Sequence, residues 1–362
     1  MGFREKLDNS LKNIKEKPDK VIYLAIGVAI FIILAVVTGV NNGQYDLALN
    51  KALYNPNSPL GWFFQNFGDF PPYVSAQIIF TITFFAADGI KPIAKGGKKA
   101  ILAARIISAA LVYVGYFVML RMWLLSNLAP DLGSGVKYGI ALAVAAPLAA
   151  ATLFFASKID KGLMKKLLPF ALFLLIVFAV TNGPIHLLKE IWLRQRFRTM
   201  TPENGSFAGI LAAYDTHNFE GFTPWYIPNL LVKNPLRTLG YTESVLGIDH
   251  DAFKSFPSGH TSGAAMTMAL FFIPYLFKDN EKVQKNKVWF YAVPIAYTCL
   301  VAVFRIVYGA HFLSDVTFGG FISILLVVIA KRIFIRLREK IIAEDNADEA
   351  PVNTGSGAET KK

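Results

Sequence analysis

Apolar runs of about twenty residues recur along the whole chain, separated by short segments rich in lysine and arginine. A bilayer core needs roughly 20 apolar residues per helical crossing, and it forbids unpaired backbone, so such a chain folds as a bundle of spanning helices. Eight spans are predicted, near residues 21–41, 71–88, 101–126, 137–157, 167–188, 258–277, 288–306 and 312–334. The segment 71–88 is short and opens on Pro71-Pro72, and 258–277 is rich in Gly, Ala and Thr, which suits a helix packed closely on its neighbours. Residues 1–20 are polar and basic and lead into a run with no cleavage site, so the first run is an anchor and not a cleaved signal.

Charge gives the expected orientation. The segments 1–20, 89–100, 158–166, 278–287 and 331–362 hold twenty-five of the 37 Lys/Arg residues. With eight spans all five lie on one side, which the positive-inside rule makes cytoplasmic, together with both termini. A net charge of +12 distributed in this way reads as topology, and nucleic acid is not an expected partner. Cys299 is the single cysteine, so no intrachain disulfide forms. The predicted organisation is a basic N-terminus at 1–20, N-terminal transmembrane helices at 21–157, a core at 158–336 and a cytoplasmic tail at 337–362. The tail is polar, acidic and Gly/Ser-rich beyond Ala343, and disorder is expected there.

Three polar clusters then fall at span ends on the opposite, external side. The first runs from Lys189 to Arg198 and places Lys189 and Arg196 seven residues apart. They share one face if the helix continues past the fifth span. The second is Ser255-Phe256-Pro257-Ser258-Gly259-His260, ahead of an apolar run. Ser258 suits a helix cap, and Gly259 lets an anion approach the free N–H groups of the first turn. The third is Arg305, the Gly309-Ala310 turn, His311 and Asp315, with the last two one helical turn apart. Singly these read equally as a basic flank, a capped helix and a salt-bridged corner. Together they supply three cations, two histidines and one carboxylate at one membrane face. A transferring phosphoryl group needs cations on its oxygens, an in-line nucleophile and a proton donor for the leaving oxygen. A carboxylate that orients an imidazole activates it. His311 has that partner in Asp315, so His311 is the expected nucleophile and His260 the acid. Lys189, Arg196, Ser258, Gly259 and Arg305 are the expected phosphate ligands.

In spacing and order these clusters resemble the type 2 phosphatidic acid phosphatase superfamily, whose pattern is Lys-x6-Arg-Pro, Pro-Ser-Gly-His and Ser-Arg-x5-His-x3-Asp. Lys189-x6-Arg196, Pro257-Ser258-Gly259-His260 and Arg305-x5-His311-x3-Asp315 match it. Phe197 replaces the usual Pro and Phe304 the usual Ser. The resemblance covers about 167–334 and implies a four-helix catalytic core, a phosphohistidine, no metal or other cofactor, and a lipid phosphate or diphosphate as substrate. Members usually have six spans, so one N-terminal pair is additional. No metal-ligand spacing occurs; Asp249-His250-Asp251 and Asp215-x-His217 read as solvated loop residues. An outward site favours undecaprenyl pyrophosphate, with phosphatidic acid and phosphatidylglycerol phosphate as alternatives. The aromatic residues Tyr214, Phe219, Phe222, Trp225 and Tyr226 of the long loop are expected to help select the lipid. A lipid transporter is the non-enzymatic alternative, but it would carry ionisable groups at mid-membrane. The spans hold few charges, and Arg105 and Arg121 are placed to snorkel from helix ends.

Overall fold

The computed structural model describes residues 18–129, 131–200, 222–229 and 250–348. Every regular element among them is a helix. Ten carry the architecture: α1 (Pro18–Gly39), α2 (Gln44–Leu53), α3 (Pro59–Phe67), α4 (Pro71–Ala86), α5 (Gly97–Val118), α6 (Ser134–Ala156), α7 (Leu168–Trp192), α8 (Gly259–Ala265), α9 (Trp289–Val307) and α10 (Leu313–Asp348).

Six helical stretches among the described residues are long and apolar enough to cross a membrane: Pro59–Gly89, Gly97–Met122, Ser134–Ala156, Leu168–Thr199, Trp289–Val307 and Leu313–Glu339. The bent pair Gly27–Gly39 and Asn41–Leu53, kinked by 74°, makes a seventh if it counts as one broken span and not as a re-entrant loop. Six or seven stretches among the described residues thus meet that test, against the eight expected. The second expected span gains α3 ahead of it, and the first turns sharply at Gly43, whose φ is +76°.

The sixth expected span is not one α-helix. α8 passes into a 3-10 stretch, Met266–Phe272, and then a last α-turn, Ile273–Leu276. The 3-10 geometry rises about 2.0 Å per residue against 1.5 Å, so this rod of small residues still reaches roughly the 30 Å of a bilayer core. It is the axis of the bundle: Thr261 to Met266, Met268, Ala269, Phe271 and Phe272 are all buried. α7, α9 and α10 pack around it, while α4 packs against α7 on one side and α5 on the other. Phe173 and Phe334 close on Phe272 in the main apolar core.

α10 runs to Asp348, past the point where the sequence suggests disorder; residues 349–362 lie outside the described residues. Arg105 reaches Asp88 at 4.0 Å near one end of α5, and the guanidinium of Arg121 lies 4.3 Å over the Tyr138 ring.

Candidate active site

The polar clusters meet at one end of the bundle, and each is delivered by a local feature of the chain. α7 ends at Trp192 because Leu193 takes the left-handed conformation, φ 43°, and breaks the helical path. Asn229 then donates to the exposed carbonyls of Trp192 and Leu193 at 2.8 and 3.1 Å, the groups a helix end leaves without partners. Lys189 remains in the last turn, while Arg196 sits in extended backbone beyond it. The two expected site cations therefore do not share a helical face. They converge because the chain folds back. Lys189, buried, donates from Nζ to the Lys254 carbonyl at 2.5 Å, with its Cε beside Gly259.

Ser258 caps α8, accepting from the Thr261 amide at 3.3 Å, and its own amide donates to the Asp315 carbonyl at 2.9 Å. Gly319 of α10 lies against it: a Cβ there would come within 2.6 Å of the Ser258 carbonyl oxygen. On the other side, the turn between α9 and α10 needs Gly309, with φ +64° and the Tyr54 ring where a Cβ would stand. These two close approaches bring Ser258, Gly259 and His260 to the turn that holds His311.

His311 is almost fully buried, and its Nδ1 is 2.6 Å from the Ser255 carbonyl oxygen. A carbonyl only accepts, so Nδ1 carries the proton and the lone pair stays on Nε2. Asp315 is the second neighbour, 3.8 Å from Nδ1, beyond hydrogen-bonding range. The direct carboxylate–imidazole bond expected from the spacing is replaced by an indirect one. Asp315 Oδ2 accepts from the Ser255 hydroxyl at 2.5 Å and from the Phe312 amide at 2.8 Å. It thus fixes the residue whose carbonyl holds the imidazole. His311 lies in the turn between α9 and α10; burial first, then the charges of Arg305, Arg196 and Lys189, hold its pKa well below the ordinary value.

His260 is more open and its Nε2 lies 3.1 Å from the Gln65 carbonyl oxygen, which leaves Nδ1 for proton transfer. Arg305 is fully buried in the last turn of α9, and it donates from Nη1 to the Gln65 side chain. Its Nε and Nη2 are buried without a partner among the described residues. A buried guanidinium with open donors is costly unless an acceptor completes it. Arg196 donates from Nη2 to Asp251 Oδ1 at 2.8 Å and from Nη1 to the Ala310 carbonyl at 3.3 Å.

Several of these partners carry no local signal in the sequence. Asp251 is half-exposed, yet it is an ion-pair partner of Arg196, with Arg198 4.0 Å away, and not a merely solvated loop residue. Burial pushes its carboxyl up, but Arg196, Lys189 and Arg198 outweigh this and hold it at about 2. Gln65 accepts from both Arg305 and Arg198. Arg194 is buried between Asp46 at 3.0 Å and Asp315 at 2.5 Å, with its charge over the Phe312 ring at 4.2 Å. Phe304, where Ser is usual, stacks on Phe64 of α3 at 5.2 Å; Phe197, where Pro is usual, packs on Tyr54 at 5.2 Å. Tyr214, Phe219, Asp215, His217 and Asp249 lie outside the described residues. Phe222 and Trp225 of the long loop are described, packing on Phe312 and Phe318.

Among the described residues no group of three His, Cys, Asp or Glu side chains is spaced to hold a metal ion. Residues 166–339, which carry all three clusters, match the family model of the PAP2 superfamily. No curated protein and no solved structure gives a significant match.

Proposed function

We propose that this chain is a PAP2-superfamily integral membrane lipid phosphatase that works through a phosphohistidine on His311. The family match supports a phosphoric ester hydrolase, and the apolar helices support a membrane protein. The observation that carries the finer reading is the pairing of two buried groups. Arg305 keeps two donors open, and His311 is held in the tautomer that leaves a lone pair on Nε2.

In this reading Lys189, Arg196 and Arg305 take the equatorial oxygens of the transferring phosphoryl group, and Ser258 and Gly259 present the start of α8 to it. Nε2 of His311 attacks phosphorus. The bond to the leaving oxygen breaks as His260, entering this step as the imidazolium with its Nε2–H on the Gln65 carbonyl, delivers its second proton from Nδ1. Water then attacks the phosphohistidine with His260 as base, phosphate departs, and the electron pair returns to Nε2. Asp315 acts through Ser255. The three cations supply the charge that a metal would otherwise bring, so turnover is expected to be metal-independent.

The distribution of basic segments supports a site on the external face, with both termini cytoplasmic. An outward site favours undecaprenyl pyrophosphate over phosphatidic acid and phosphatidylglycerol phosphate. The test is phosphate release from these three lipids by purified protein in detergent, with EDTA and with vanadate. Turnover that survives EDTA and is blocked by vanadate is expected, because a trigonal-bipyramidal oxyanion on His311 mimics the transition state. Activity that vanishes on chelation and returns with Mg²⁺ would overturn the mechanism. Binding of a lipid phosphate without turnover would favour a non-enzymatic lipid-handling protein.

A further inference from the structure

α2 lies far upstream of the family segment, yet two of its polar side chains enter the catalytic turn. Asp46 and Asn50 are one helical turn apart, on one face, and both are buried. Buried polar groups on an element placed at a membrane demand specific partners. Asn50 donates from Nδ2 to the His311 carbonyl at 3.0 Å. Asp46 Oδ1 accepts from the Ser314 amide at 3.1 Å, and Oδ2 accepts from Arg194 at 3.0 Å and from the Ser314 hydroxyl. The same guanidinium holds Asp315 at 2.5 Å.

One buried cation thus lies between two buried carboxylates. Burial pushes the Asp46 carboxyl up, while Arg194 and the two Ser314 donors favour its charged form behind His311. The catalytic ring itself faces cations: Arg305, Arg196 and Lys189 all bear on it. When Nε2 forms its bond to phosphorus and the leaving oxygen takes the proton of His260, the ring still holds its proton on Nδ1. It therefore becomes a cation, among cations.

We infer that Asp46 is a positioning residue of this active site: through Arg194 and Ser314 it fixes the 311–315 turn and supplies the negative charge that balances the ring in the phosphohistidine. The inference rests on the reading of His311 as nucleophile. It makes α2 the back wall of the site, on the side away from substrate.

That placement gives a test that a purely structural role would not satisfy. Asp46→Asn keeps the shape and removes the charge. In the full-length protein it should lower kcat by about 10-fold, in the range seen when the partner behind an oriented imidazole is lost, with KM changed less than about twofold. Asp46→Glu should recover part of kcat. Ser314→Ala, which removes the hydroxyl shared by Asp46 and Arg194, should lower kcat in the same KM-neutral way and serves if Asp46→Asn does not accumulate. An Asp46→Asn enzyme with wild-type kcat, or one whose loss is all in KM, overturns the inference. So does an Asp46→Glu variant no better than Asp46→Asn. A wild-type protein without phosphatase activity is a different failure: it sinks the reading of the site, and this inference with it.

Discussion

Two pieces of the chain precede the family segment, and they behave in opposite ways. α2 and α3, residues 44–67, send Asp46, Asn50 and Gln65 into the polar end of the bundle. α5 and α6, residues 97–156, send nothing there among the described contacts and present mostly apolar surface. Only 11% of the most apolar window of Gly97–Met122 is buried, against 39% for both Pro59–Gly89 and Leu168–Thr199. Leu102, Ile106, Ile107 and Phe155 stand exposed, as side chains facing lipid do. α5 and α6 are thus set apart from the polar end of the bundle, while α2 and α3 contribute to it. Being upstream of the family segment is no guide to being outside the site.

The sharpest way to test that contrast is to break the link between α2 and the core. Arg194→Leu leaves Asp46 and Asp315 buried and facing each other without their cation. Loss of one partner of a buried pair costs about 3–5 kcal/mol, so the variant should unfold at markedly lower temperature in detergent or fail to accumulate. A melting curve like that of wild type would mean that α2 is held by its apolar contacts alone.

Next in size come the cations of the core. Arg305→Ala and Arg196→Ala should each lower kcat/KM by on the order of 10²-fold, as lost contacts to transition-state charge do. Arg→Lys should restore only part, because an ammonium cannot replace a two-pronged fork. Full activity in Arg196→Lys would reduce that side chain to steering substrate.

A smaller effect concerns pH. A histidine held below its usual value stays neutral until pH falls through that lowered value. With ordinary histidine near 6.5, kcat/KM should stay level as pH drops through this value, as far as His311 governs it. Arg196→Gln removes one of the charges that hold the imidazole down, so its acid limb should move to higher pH. A limb that stays in place would show that another group sets it.

The smallest effect belongs to the lipid-facing pair. Arg105 and Asp88 are 4.0 Å apart and both partly exposed, and such pairs contribute about 0–1 kcal/mol. Arg105→Gln should leave kcat/KM within about twofold and the melting temperature nearly unchanged. A large loss of activity there would erase the distinction between the two upstream regions.

What could be read from the sequence follows the range of the interactions. Helical spans, the Ser258 cap and the His311–Asp315 spacing are local patterns, legible within a few turns of chain. The partners of Arg194 and Arg305 are not: Asp46 is 148 positions from Arg194, and Gln65 is 240 from Arg305. No periodicity encodes such pairs, and in the sequence Arg194 is one more member of a basic cluster. The end of α7 was hidden for a related reason. Neither Gly nor Pro marks position 193; the stop is completed by Asn229, brought there only by folding. The break of the sixth span into 3-10 geometry likewise has no proline or glycine inside Met266–Phe272 to announce it.

The group that sets the proton on His311 is a peptide carbonyl, that of Ser255. Every residue type has that oxygen, so the ring's protonation pattern is inherited from the route of the chain and from no particular letter. A lineage could replace the serine, lose its tie to Asp315, and still keep the lone pair on Nε2 for as long as the turn kept its path. The positions open to selection are then the supports of that path: Gly319, which lets α10 lie against Ser258, and Gly309, which lets the loop turn under Tyr54. Heritable damage to this chemistry should collect at such glycines, where no side chain ever touches substrate.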